Sequence, residues 1–228
     1  MAHLKRLRTK KTWSTQRKGI KFITRPAPGP HKKEECITLN VFVKDFLKIA
    51  NTTREVRRIL HEKKILVDGK PRKDVHFPIG VMDVITVPDL KKSYTLAYDH
   101  KGKFILHETP GSRAHQKTRK ITGKSMLKKN KLQLNFYDGY NLVADKGAYN
   151  TGDSLIMNDK KIEKHLKLEK GATVFLVGGK HIGDMGIVKE IKNFKGMERN
   201  RIVVQIGEKE IETLRDYAFV IEPGALSK

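Results

Sequence analysis

Two stretches of this chain carry no acid at all, and they limit what it can fold into. Residues 1–33 hold eleven lysines and arginines and residues 113–131 eight more, together nineteen of the twenty-three net positive charges. The remainder is close to balanced, with fourteen basic against eleven acidic residues over 34–112 and fifteen against fourteen over 132–228. A segment of like charges repels itself and has little apolar surface to bury, so it gains order mainly by meeting a dense array of negative charge. Nucleic acid is such an array, because its phosphates release counterions when cations replace them. Anionic lipid is the competing surface. Against it, Leu4, Leu7, Trp13, Ile20, Phe22 and Ile23 do not keep the spacing of a membrane-surface helix.

The rest of the composition supports folded modules. At 228 residues and 38% hydrophobic content the chain can build one large core or two to three small ones. No apolar run approaches the roughly twenty residues needed to span a bilayer. The basic N-terminus is not followed by the apolar stretch of a secretory signal, so an intracellular, cytoplasmic location is expected. Cys36 is the single cysteine. It can form neither an internal disulfide nor, alone, a zinc site, so no metal or other cofactor is expected.

Along the chain, the arm closes on Arg25-Pro-Ala-Pro-Gly-Pro30, whose prolines favour extended geometry, as a stiff spacer or a segment laid along a surface. Trp13 lies among lysines, where it can stack on a base, dock in a partner or fold back on the chain's own core. From Leu39, the spacing of Phe42, Val43, Phe46, Leu47 and Ala50 predicts one amphipathic helix. Thr52-Thr-Arg-Glu55 reads as a capping box, so a second helix begins near Thr53. It has an apolar face of Val56, Ile59 and Leu60, and three guanidinium groups, Arg54, Arg57 and Arg58, on the other face. Strands follow at 65–67 and 84–87, the first ending in the tight turn Asp68-Gly69. Past Pro88 nearly all is β, with paired runs at 94–98 and 103–107 and further strands at 132–136, 155–157 and 162–168. Residues 113–131 read as a loop with one short strand near Ile121, and a loop of that composition has contact as its purpose. The last part, with strands at 173–177, 187–188, 201–206, 210–214 and 217–221, suggests a small barrel.

The glycines at 178, 179, 183 and 186 invite a nucleotide-loop reading. That chemistry needs a helix after the loop and, for a Walker loop, Ser or Thr after the lysine. Lys180 is instead followed by His181, and Ile187-Val188 reads as a strand. A turn that uses Gly183 and Gly186 for positive φ fits better. Catalysis finds no foothold, since the nine histidines are scattered with no helical His-x-x-x-His and no nearby carboxylate pair in a plausible cleft. No small-molecule substrate is expected.

Gly171-x-x-Val174-x-x-Val177-x-Gly179-x-x-x-Gly183-x-x-Gly186-x-Val188 resembles the KOW motif of ribosomal proteins and elongation factors. Leu39 to Val87 is similar to the S-four RNA-binding module. His3-Leu-Lys-Arg6, Arg25-Pro26, Gly29-Pro-His-Lys32, Val67-Asp-Gly-Lys70, Met82-Asp-Val-Ile85 and Tyr98-Asp-x-Lys-Gly-x-Phe104 resemble the archaeal and eukaryotic S-four-e family of small-subunit ribosomal proteins. The chain stops soon after the KOW segment, without the longer basic tail of eukaryotic members, which suggests an archaeal form. Ile79-Gly80-Val81 stands where the family pattern leads one to expect an aromatic.

The resemblance implies an α+β, multidomain protein: a basic extended arm (1–38), an S-four-like module (39–92), a central β-rich domain (93–170) and a KOW SH3-like barrel (171–228). It implies a structural, non-catalytic constituent of the small ribosomal subunit, with rRNA and neighbouring ribosomal proteins as partners. Its RNA face would include Arg54, Arg57, Arg58, Lys70, Arg72 and Lys73, the residues that the charge pattern picks independently. The charge pattern adds Lys5, Arg6, Arg8, Lys10, Lys11, Trp13, Arg17, Lys18, Arg25, His31 and Lys32 in the arm. It also adds Arg113, Lys117, Arg119, Lys120, Lys124, Lys128 and Lys129 in the second basic stretch, and Lys180 and His181 in the glycine-rich turn. The alternatives are a KOW-containing transcription or elongation regulator and an RNA-modifying enzyme, the latter lacking room for a catalytic domain. Removal of residues 1–33 is expected to weaken RNA binding while sparing the stability of the modules.

Overall fold

The computed structural model describes residues 3–144, 147–159, 161–194 and 196–226. The chain divides into two compact units, one of Met1–Ala97 with Gly102–Gln116 and one of Tyr98–Lys101 with Lys117–Lys228.

In the first unit the arm is folded. Leu4–Lys5 pairs antiparallel with Phe22–Ile23, and the indole of Trp13, 5% exposed, donates Nε1–H to the Cys36 carbonyl at 2.8 Å. The proline segment is laid along a surface, with Pro26 buried and the Ala27 amide donating to the His76 carbonyl at 2.9 Å. His31 is buried, its Nε2 2.9 Å from both carboxylate oxygens of Asp83, and Asp83 also accepts from the Gly80 amide at 2.8 Å. Here a glycine is required by space: a Cβ on Gly80 would sit 2.5 Å from the His31 ring. The residue after Ile79 must therefore be small, because the arm packs against it.

Cys36–Thr38 pairs antiparallel with Pro78–Gly80 and leads into the first helix. Thr38 caps it by accepting from the Val41 amide at 3.4 Å. The helix is not the single regular one that the spacing predicts. Leu39–Val41 is α, then Phe42–Phe46 widens to a π turn in which the Leu47 amide reaches the Phe42 carbonyl. Leu39, Phe42 and Val43 still reach the core, so the apolar pattern holds while the pitch does not. The second helix, Thr53–His61, starts where predicted: the Glu55 amide donates to the Thr52 hydroxyl, and the Glu55 carboxylate accepts from the Asn51 and Thr52 amides. These bonds hold the Glu55 carboxyl below its ordinary value. Val56 and Leu60 are buried beneath it.

The sheet of this unit runs in the order Lys70–Pro71, Leu66–Val67, Val84–Val87, Lys92–Tyr98, Phe104–Thr109. Its tight turn is of the expected kind, with Asp68 and Gly69 both at positive φ (51° and 73°), and the Asp68 carboxylate accepts from the Val84 amide at 3.1 Å.

The second unit contains two five-stranded sheets. The first has the order Asn141–Ala144, Leu132–Phe136, Gln116–Met126, Ser154–Asn158, Lys161–Leu166, around Ile121, Leu134, Phe136, Leu155 and Met157. Its eleven-residue strand Gln116–Met126 corrects the reading of residues 113–131 as mainly loop. Ile121 is fully buried and Lys117 and Lys120 are buried with it, Lys117 on the same face of the strand as Ile121 and Lys120 on the opposite face, so the strand lacks the apolar alternation that would mark it in sequence. The other sheet has the order Lys209–Leu214, Arg201–Ile206, Met185–Lys192, Thr173–Leu176, Ala218–Val220, and buries Val174, Val188, Ile202, Val204 and Val220. A strand, not a helix, follows the glycine-rich turn. Gly183 takes φ +86° as expected, but Gly186 lies within a strand, where a Cβ would meet the Gln205 carbonyl at 2.4 Å. Close approach, rather than positive φ, requires that glycine.

Candidate nucleic-acid interface

The second helix and the hairpin after it present the cations that a nucleic acid can reach. Because Val56 and Leu60 take the buried face, Arg54, Arg57 and Arg58 are exposed, and Lys70 and Lys73 are exposed beyond the Asp68-Gly69 turn. Arg54, Arg57, Lys70 and Lys73 make no ion pair with another described residue. Arg58 bonds Glu62 at 2.9 Å on the surface, and Arg72 lies with its guanidinium 4.6 Å from the Phe77 ring centre. The exposed pair is an exchangeable partner, whereas the stacked arginine is held in place.

In the arm, Lys5, Arg8, Lys10, Lys11, Arg17, Lys18 and Lys32 are exposed, and of these Lys10 pairs with Glu34 at 3.0 Å. That pairing holds the Glu34 carboxyl below its ordinary value. Arg6 and Arg25 are half-buried, and Arg6 donates Nη1–H to the Gln16 carbonyl at 2.6 Å. Two arm residues lie inside the fold rather than on its surface. Trp13 has its indole N–H committed to Cys36 and its ring in the core, so it is not free to stack as an exposed side chain. His31 is bound to Asp83 and buried, so it offers no charge to an outside phosphate. The same burial pushes the Cys36 thiol up to about 12, with the Asp83 and Glu35 charges adding to it, so it is an inert apolar group.

The second basic stretch is drawn inward more deeply. Asp138, 8% exposed, binds Lys117 at 3.0 Å and Arg119 at 2.8 Å. Burial pushes its carboxyl up, but the two cations together hold it below its ordinary value. Lys120 is buried too, donating Nζ–H to the Asp216 carbonyl at 2.7 Å. Burial brings its amine down to about 8, with the Arg215 charge adding to this and Asp216 opposing it. Three of the seven proposed contacts in this stretch therefore hold the second unit together. Lys124 is exposed with its amine on the Tyr149 carbonyl, Lys128 is exposed, Arg113 is half-buried, and the Lys129 side chain lies outside the described residues. At the glycine-rich turn Lys180 is exposed, while His181 is 3.5 Å from Asp184, which also bonds His100 at 2.5 Å.

The charge count along the sequence missed Asp138 and Asp83, the two carboxylates that draw basic residues inward. Asp138 was legible only as the first residue of a turn. Among the described residues no group of three or more His, Cys, Asp or Glu could hold a metal ion, and no helix is long and apolar enough to cross a membrane.

Three family patterns match in chain order: the RS4NT domain over residues 2–34, the S4 domain over 38–85 and the ribosomal family S4e over 90–164. Small ribosomal subunit protein eS4 of Archaeoglobus fulgidus is 43% identical over 96% of this chain and 92% of its own length. The eS4 protein of Methanocella arvoryzae is 40% identical over 96% of this chain and 93% of its own. The crystal structure of the 30S ribosomal protein S4e from Thermoplasma acidophilum superposes with a TM-score of 0.70 at 29% identity, covering 82% of this chain and 95% of that one.

Proposed function

We propose that this chain, which belongs to the S4e family of small ribosomal subunit proteins, holds rRNA by outward cations carried on folded supports. It is a structural, RNA-binding constituent of the small ribosomal subunit, with rRNA and neighbouring ribosomal proteins as its partners. Within that role we assign contact to the exposed cations of the arm, to Arg54, Arg57, Lys70 and Lys73, and more weakly to Lys124, Lys128 and Lys180. The observation that carries the assignment is the exposed pair Arg54 and Arg57, without an ion pair among the described residues, on the helix Thr53–His61, whose opposite face is fixed in the core. Guanidinium groups held in this way meet phosphates without first giving up an internal partner. Recognition is chiefly of RNA shape, with phosphate neutralisation supplying affinity.

We retain the four segments 1–38, 39–92, 93–170 and 171–228 as functional divisions, the last read as a KOW-type SH3-like barrel and the whole as a non-catalytic, cytoplasmic component. The five antiparallel strands and the close approach at Gly186 support the barrel reading. Sedimentation tests the function. The protein should travel with small subunits at moderate salt and leave them at high salt. Recovery chiefly with RNA polymerase would favour a transcription regulator instead.

A further inference from the structure

We propose that Lys124 and Arg215 form a clamp for the phosphate backbone of RNA in a cleft of the second unit, an inference that rests on the RNA-binding reading above and adds a site to it. The cleft, of about 330 Å³, opens beside the loop 149–153, and Lys124, Asn150, Thr151, Lys167 and Arg215 line it. That loop is a fixed support. Asp153, 2% exposed, accepts from the Asn150 and Leu168 amides at 3.0 Å each and lies 2.8 Å from His165 Nε2. The Tyr149 ring packs on the His165 ring with their centres 5.1 Å apart, and the Gly152 amide donates to the carbonyl of the buried Ile121 at 2.9 Å.

Two cations are mounted on this support by carbonyls. Lys124 Nζ donates to the Tyr149 carbonyl and Arg215 Nη2 to the Thr151 carbonyl. Gly152 takes φ +95°, and a Cβ there would stand 3.2 Å from Arg215 Nη2, so the guanidinium lies close along the loop. A carbonyl orients a cation without neutralising it, and neither Lys124 nor Arg215 makes an ion pair with another described residue. The acids of the wall are engaged elsewhere, Asp153 inside the loop and Glu169 at 3.8 Å from Lys167. The cleft therefore keeps two positive charges that are held in place, and each has further N–H donors to give. Arg215 lies in the part of the chain where basic and acidic residues nearly balance, so the charge pattern passes over it.

A guanidinium fork beside an ammonium suits an anion with several acceptor oxygens, and phosphate is such an anion. Among the described residues that line the cleft none is aromatic, so a base has nothing to stack on. Its apolar members, Leu168 and Ile191, are buried and half-buried, which leaves no exposed anchor for a protein partner. The backbone of RNA needs neither.

The test is the salt dependence with which the full-length protein binds a small-subunit rRNA fragment. K124Q/R215Q should make the slope of log affinity against log salt shallower by about 1.5, at roughly 0.7 to 0.9 per lost phosphate contact. N150D leaves both cations in place and sets a carboxylate in the wall; it should weaken binding about fivefold, as repulsion between unit charges about 4 Å apart in water allows, with the melting temperature unchanged. An unchanged slope in K124Q/R215Q overturns the clamp, and a lowered melting temperature beside it would show that Arg215 only braces the loop. Should K124Q/R215Q fail to fold, N150D decides, and unaltered affinity in that variant overturns the clamp. Normal binding to the bare fragment together with failure to join subunits that hold the other proteins would assign the cleft to a protein carboxylate and also overturn it. If R54Q/R57Q still makes the slope shallower while K124Q/R215Q does not, the RNA-binding reading stands without the clamp. If neither pair changes it, both fall.

Discussion

The two acid-free stretches look alike in sequence and are used in different ways. The first turns most of its cations outward and anchors itself by two other residues, Trp13 on Cys36 and His31 on Asp83. The second turns three cations inward, placing Lys117 and Arg119 on Asp138 and Lys120 on the Asp216 carbonyl. Charge density alone therefore does not separate a binding surface from a fold. What separates them is whether a carboxylate or carbonyl elsewhere in the chain waits in a buried place. A buried cation left without that partner is costly, whereas an exposed one is free to meet phosphate.

This contrast is broken most forcefully at Asp138. Asp138→Ala removes the carboxylate that Lys117 and Arg119 share in a buried site, and the loss should be about 3–5 kcal/mol, read by denaturant unfolding. A cost below about 1 kcal/mol would mean that the two cations reach water and belong with the outward set. Trp13→Ala should destabilise the first unit by about 3–5 kcal/mol, because it empties a core position. That outcome reverses the expectation that residues 1–33 can be removed without loss of stability. Only a neutral Trp13→Ala would restore the picture of a detachable arm.

A finer contrast concerns Lys120. Its amine falls from 10.5 to about 8 in the fold, so between those values the unfolded chain binds the extra proton. Stability should accordingly rise with pH from about 8 to about 10.5, and the burial penalty is carried in full below about 8. The rise is at most about 3 kcal/mol, at roughly 1.4 kcal/mol per unit of displacement. Lys64 and Lys92, raised by Glu62 and Glu108, act in the opposite direction at higher pH, so the difference between the wild type and Lys120→Met isolates the effect. A variant that keeps the same slope would place Lys120 among the solvated lysines.

Local chemistry was legible in the sequence, and long-range partners were not. The Thr52/Glu55 capping box, the Asp68-Gly69 turn and the strand Arg201–Ile206 depend on neighbours a few residues away, and each stands where the spacing put it. The π turn at Phe42–Phe46 keeps the apolar periodicity of a helix, so spacing cannot distinguish it. The burial of Trp13 and His31 depends on Cys36 and Asp83, 23 and 52 residues away. The strand Gln116–Met126 was hidden because Lys117 and Lys120 occupy positions where a strand is expected to show apolar residues. For the candidate interface, the arginines of the second helix were legible because the capping box set the helix phase and the apolar residues set its face. The inward cations were not, because Asp138 and Asp216 are distant in sequence.

In the proposed function, RNA affinity belongs to outward cations on folded supports. Its most direct test is the salt dependence of binding to a small-subunit rRNA fragment, compared between wild type and R17Q/K18Q/R54Q/R57Q. The expected result is an unchanged melting temperature and a slope of log affinity against log salt that is shallower by about 3, at roughly 0.7 to 0.9 per lost phosphate contact. An unchanged slope accompanied by a lower melting temperature would contradict it.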